Sequence, residues 1–146
     1  MADQIRFSGE GDGVLIIEIS DYERQLADNE DDANWLSSTI TVQAGPLGGT
    51  FAAALTTHDL VVLYERLRAA LQSLSGIVNF ESTEEDISLE FSFSRRGSVS
   101  ISGVAKPHAS AAGVLQFRLE TDQSLINVAV QQLSIAVLHF PVRQSQ

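Results

Sequence analysis

Apolar and polar positions alternate with a period of two in several short runs of this chain and switch to a helical period in two longer ones. In 14–20, Leu15, Ile17 and Ile19 share one face while Glu18 and Ser20 take the other, the mark of a half-buried strand. A second run, 35–44, sets Leu36, Ile40 and Val42 against Thr39 and Thr41. The segment 45–49, with Gly45, Pro46, Leu47, Gly48 and Gly49, reads as a turn, and 50–55 as the next strand. These three strands predict an antiparallel meander. Ahead of them, 1–13 reads as a loosely ordered lead-in with a short edge strand at 5–7.

The period then changes. Leu60, Leu63, Tyr64, Leu67, Ala70, Leu71 and Leu74 follow one another at helical spacing. Thr56 and Thr57 can cap free amides at the start of this helix, Asp59 completes a capping-box pattern with Thr56, and Gly76 is the expected C-terminal stop. The plan then repeats. A short strand at 77–80 precedes the clearest strand of the chain, in which Ile87, Leu89, Phe91 and Phe93 alternate with Ser88, Glu90 and Ser92. Arg95, Arg96 and Gly97 turn it into 98–102, a small-residue loop spans 103–113, and 114–121 is the last strand. A final helix, capped by Thr121 or Asp122, runs from Gln123 to about Leu138 before Pro141 blocks it. The expected fold is therefore α+β: antiparallel strands in two meanders packed against two helices, one after each meander. The two halves echo each other in architecture, and their residues show no sequence repeat.

Composition narrows the class. A chain of 146 residues with 44% apolar residues is read as a single domain, 1–146, with material for a real core. No run of apolar residues is long enough for a spanning helix, and the N-terminus lacks an apolar signal core, so a cytoplasmic protein with no membrane contact is expected. The absence of cysteine excludes disulfides, thiolate metal sites and cysteine nucleophiles.

Charge changes the picture more. The formal net charge is −10, which argues against nucleic acid as a partner and favours a basic protein, drawn in by long-range attraction. Ten of the nineteen acidic residues fall in the first 32 positions, and five more between Glu81 and Glu90, so the charge is clustered rather than spread. Asp28, Glu30, Asp31 and Asp32 make the densest group. Three readings of it stand: a solvated loop, a protein-docking patch, or a calcium loop without the EF-hand spacing. Glu84 and Glu85 are candidates to extend the same patch, and Tyr22 is a candidate aromatic anchor.

Candidate chemistry is sparse. His58, His108 and His139 have no second ligand at metal-binding spacing, and His139 is explained as a cation at a helix C-terminus. No Gly-x-Ser-x-Gly elbow, dinucleotide fingerprint or phosphate loop is present. No catalytic residue, metal or cofactor is therefore assigned. The alternative is an enzyme or small-ligand binder whose pocket lies between helices and sheet, unmarked by any linear motif. The helix from Gln123 to Leu138 carries no charge and is apolar on more than one face, so it is either the central packing helix or a homodimer contact.

Several short motifs fall into one order. Asp32-Ala33-Asn34-Trp35-Leu36 precedes a Thr/Val-rich strand; Leu55-Thr56-Thr57, Asp59 and Leu60 open the first helix; Glu84 and Glu85 lead a strand. Thr121-Asp122-Gln123-Ser124-Leu125 opens the last helix, and Phe140-Pro141-Val142-Arg143 closes the series. In this the chain, from about Leu15 to Arg143, resembles the small bacterial immunity proteins of the WapI type and the uncharacterised families near them. The resemblance implies a non-catalytic cytoplasmic protein that binds and neutralises the toxic C-terminal domain of a polymorphic toxin. No candidate binding residue is carried over from this family: the acidic ones rest on charge, and Tyr22 on its aromatic ring.

Overall fold

A computed structural model describes residues 3–23, 33–107 and 113–143. Among the described residues are eight strands: β1 (Asp3–Ser8), β2 (Val14–Tyr22), β3 (Trp35–Ala44), β4 (Leu47–Thr56), β5 (Gly76–Glu81), β6 (Ile87–Phe93), β7 (Ser98–Ala105) and β8 (Leu115–Asp122). Helix α1 (Thr57–Ser73) follows β4, and α2 (Gln123–His139) follows β8. The strands form two antiparallel sheets, ordered β1-β2-β3-β4 and β5-β6-β7-β8. Two meanders, each followed by a helix, are thus the architecture that the hydrophobic pattern predicts.

Each first strand is longer than its sequence suggests. The lead-in contains a six-residue strand whose Ile5 and Phe7 face the core. The turn read at 45–49 shrinks to Gly45 and Pro46, because Ala44 pairs with Leu47 and the two following glycines already belong to β4. Gly45 takes φ +59 while proline holds φ negative, which is the type II′ pattern suited to a two-residue hairpin. Gly48 is needed for space: a Cβ there would come within 2.8 Å of the Val42 carbonyl oxygen. Likewise Gly103 lies in β7 rather than in a loop, with the Phe117 ring of β8 covering the place of its missing side chain. Helix α1 ends one step earlier than its glycine suggests: Leu74, at φ 52, takes the left-handed cap position, and Gly76 begins β5.

The inner faces of both sheets and both helices share one apolar core, with Phe7 and Phe91 in ring contact at 5.6 Å. The helices cross over. α1 lies along β5 of the second sheet, α2 lies along β1 of the first, and the two helices touch each other. Each helix bonds the backbone of the edge strand it covers. Gln132 accepts the Arg6 N–H at 2.7 Å, and the Arg66 guanidinium donates to the Asn79 carbonyl at 2.6 Å.

The first hairpin of each sheet reaches the start of the opposite half's helix. At α2, Glu10 N–H donates to the Glu120 carbonyl at 2.8 Å and Thr121 Oγ1 to the Ser8 carbonyl at 2.7 Å. At α1, the β5–β6 turn docks in the same place through Asp59 and Asp86. This reciprocity puts the Glu84–Glu85 turn beside the N-terminus of α1.

Candidate partner-binding surface

β2 and β3 run out together at a last rung, where Glu23 N–H donates to the Trp35 carbonyl at 2.8 Å. The chain returns at Ala33 and Asn34, both buried. Asn34 works as a backbone surrogate. Its Oδ1 accepts the Arg143 N–H at 2.7 Å, its Nδ2 donates to the Arg143 carbonyl at 2.9 Å, and its own carbonyl accepts the Thr57 N–H at 3.1 Å. One side chain thereby ties the segment after α2 to the start of β3, and its backbone ties both to α1.

Tyr22 and Arg143 complete the corner. Arg143 Nε donates to the Ala33 carbonyl at 2.9 Å, and its guanidinium lies 3.6 Å from the Tyr22 ring centroid, a cation–π stack. The Tyr22 hydroxyl donates to the Pro141 carbonyl, and its ring meets Phe140 edge-on at 5.6 Å. Burial raises the Tyr22 pKa above its ordinary value; Arg143 pulls it back down and Asp21 adds to the rise.

On the other side of α1's start, Asp59 serves two elements at once. It completes the capping box, accepting the Thr56 N–H at 3.0 Å while its own N–H donates to Thr56 Oγ1 at 3.1 Å. It also accepts from Thr83, at 3.1 Å from the backbone N–H and 2.8 Å from the hydroxyl. The fully buried Asp86 carboxylate accepts the Ala54 N–H of β4 at 2.7 Å. Between these two anchors Glu84 and Glu85 are exposed, Glu85 at φ 61.

Of the residues expected on the surface, Tyr22 is half-buried with its hydroxyl, ring face and ring edge all engaged within the chain, while Glu84 and Glu85 face solvent. Asp28, Glu30, Asp31 and Asp32 lie outside the described residues. The described flanks of their loop nevertheless reach the anchors of the Glu84–Glu85 turn: Asn34 bonds Thr57, and Thr83 bonds Asp59, at one helix start.

Comparing the two halves gives the loop a further meaning. At α2, the first helical N–H, from Gln123, donates to the Gly97 carbonyl at 2.8 Å, and Gly97 belongs to the tight β6–β7 turn. At α1 the same bond goes to Asn34, at the end of the β2–β3 connection. The fold closes that position with a short turn in one half. In the other the connection runs on through residues 24–32, four of which are acidic.

A family model described as the immunity protein WapI-like family matches residues 5–141. The chain belongs to that family. The match spans both meanders and both helices, and so includes Asn34, Asp59 and Thr83 together with the turn they hold. No curated protein and no solved structure matches the chain. Membership in the WapI-like immunity protein family suggests a protein that acts by binding another protein rather than by catalysis. Among the described residues no helix is long and apolar enough to cross a membrane, and no three histidine or carboxylate groups gather as a metal site. An open groove of about 570 Å³ crosses the second sheet, lined by Arg66, Glu81, Glu90, Ser102 and Gln116 over Phe117.

Sequence reasoning missed Asp59's second role, Thr83 and Arg143 as the residues that position this surface. The capping-box signal marks Asp59 as a helix residue and carries no trace of its bond to a turn 24 positions away. Arg143 sits in a recognised motif, but its partners are set by a long-range return of the chain.

Proposed function

We propose that this chain is the immunity half of a toxin–immunity pair, a non-catalytic cytoplasmic protein that binds a basic toxin domain and blocks its working cleft. Asp28, Glu30, Asp31 and Asp32 form the electrostatic centre of the docking surface, and Glu84 and Glu85 extend it. The observation that carries this reading is the acidic insertion of residues 24–32 at a connection the other half closes with a tight turn, within a chain of the WapI-like immunity family. The shared anchoring of Asn34 and Thr83 at the start of α1 supports one continuous surface, and the net charge of −10 suits a cationic target. Tyr22, held by Arg143 and Phe140, acts by fixing one root of the loop. The test is association of the chain with the toxin domain whose toxicity it relieves, measured with the acids intact and neutralised.

A second element of the reading is self-association through α2, motivated by Val128, Ile135 and Leu138. These are 48%, 50% and 78% exposed on one uncharged helix face. Sedimentation over a dilution series tests it.

A further inference from the structure

Sheet edges are hazards that proteins cover, charge or interrupt, since their free N–H and C=O groups template an added strand. Three of the four edges here are guarded. β1 lies under α2 with Gln132 on its Arg6 N–H, and β5 lies under α1 with Arg66 on its Asn79 carbonyl. β8 gives its Glu120 carbonyl to Glu10 and carries the Arg118–Glu120 ion pair, 2.6 Å, along its length. The fourth edge, β4, differs. Ala44 and Leu47 close a two-residue hairpin, so Gly48, Thr50, Ala52 and Ala54 turn their backbone groups away from β3. Among the described residues only the Ala54 N–H is taken, by Asp86. The outward groups of Thr50 and Ala52 have no partner among the described residues. No charged residue occurs from Ala33 to His58 and no proline interrupts β4; Gly48, Gly49, Thr50 and Ala52 are small and exposed, with the half-buried Phe51 between them.

We propose that the open edge of β4, from Gly48 to Ala52, is a strand-addition site that takes an extended segment of the basic partner, whose lysine or arginine end meets Glu84 and Glu85. This rests on the reading of a basic protein partner given above. The charge of the surroundings selects the occupant. Asp86, which closes the edge at Ala54, is the next residue after the exposed Glu84–Glu85 pair, so a strand growing along β4 ends against two carboxylates. A cationic segment is attracted there, whereas a second copy brings its own net charge of −10. Five residues of edge span about 17 Å, enough for one short strand. Main-chain bonds supply the pairing and the acidic corner supplies the sign.

The test is amide hydrogen exchange of the full chain, followed by NMR, with a probe peptide. The probe is an N-acetylated ten-residue peptide of alternating threonine and valine ending in three lysines. At saturating peptide, exchange at Thr50 and Ala52 slows by about tenfold or more, while Phe51 and Ala53, already bonded to β3, change little. Ala52→Pro removes a donor that bonds nothing among the described residues, so the variant folds and the slowing disappears. If that variant fails to fold, the wild-type pattern alone decides. The double change Glu84→Gln with Glu85→Gln weakens the peptide by about three- to tenfold. Unchanged exchange at Thr50 and Ala52 at the highest soluble peptide concentration overturns the proposal. So does equal binding by a peptide ending in three glutamates, or slowing that rises with protein concentration in the absence of peptide. Relief of toxicity is scored separately, so failure at the edge leaves the immunity reading standing.

Discussion

Asp59 joins the helix start to the Glu84–Glu85 turn, two residues from the Thr57 that Asn34 bonds, and Asp59→Ala tests whether that joint carries weight. The substitution removes three accepted bonds: Thr56 N–H at 3.0 Å, Thr83 N–H at 3.1 Å and Thr83 Oγ1 at 2.8 Å. Bonds to a charged acceptor contribute about 1.5–3 kcal/mol each, but not additively. Thr83 is exposed and recovers water, whereas Thr56 is buried and its N–H is left without a partner. The expected loss is therefore about 3 kcal/mol, most of it from the orphaned cap amide. In urea, with a slope of about 2 kcal/mol/M for a chain of this size, the midpoint falls by about 1.5 M. Thr83→Val, which deletes only the hydroxyl, costs about 1 kcal/mol, and the double variant shows coupling of similar size. A midpoint shift below about 0.3 M for Asp59→Ala, or zero coupling, refutes the claim that Asp59 holds the turn.

Three further outcomes are expected. Gly103→Ala drives a methyl group into the buried Phe117 ring, which must shift; stability falls by about 1–3 kcal/mol, thermal melting reports it, and Phe117→Leu in the same chain restores part of the loss. The raised Tyr22 pKa means that the folded chain favours the neutral hydroxyl. Its contribution is complete below the ordinary value of 10.0 and is lost as pH rises through the higher folded value, so Tyr22→Phe flattens stability against pH there. A Tyr22→Phe chain with the same alkaline decline as the wild type contradicts this. Ile135→Asp with Leu138→Asp lowers the sedimenting mass of the chain to that of a monomer; an unchanged mass removes α2 as a self-association face.

What could be read from the residues was whatever is local. The alternation from Ile87 to Phe93 is legible because one face packs on the core and the other meets water, and every apolar member is buried. The capping box of α1 is legible because both its partners lie within four residues. Gly48 and Gly49 misled because glycine signals a turn by composition, whereas Gly48 is small to let the hairpin strands approach. The crossing of the helices, each covering the other half's first strand, has no local signature; it follows from burying two amphipathic faces against edges that need cover. The same holds for the surface. The acidic clusters were visible as charge, but the bonds that bring Asn34 and Thr83 to one helix start, through Thr57 and Asp59, depend on contacts that span the chain. α2 was legible only in part. Its lack of charge was plain, while the division into a core face of Ile126, Ala129, Leu133 and Ala136 and an exposed face ending at Leu138 needed the packing.

The central claim is that a basic toxin domain docks on the acidic insertion and the turn beside it. The most direct measurement is the association rate with the toxin domain whose toxicity the chain relieves, for the wild-type chain and for the chain carrying Asp28→Asn, Glu30→Gln, Asp31→Asn, Asp32→Asn, Glu84→Gln and Glu85→Gln. Wild-type association is fast at low salt and slows steeply as salt shortens the Debye length. The neutralised chain, folded to the same stability, associates about ten- to hundredfold more slowly and with little salt dependence. Equal rates for the two chains at low salt contradict the account.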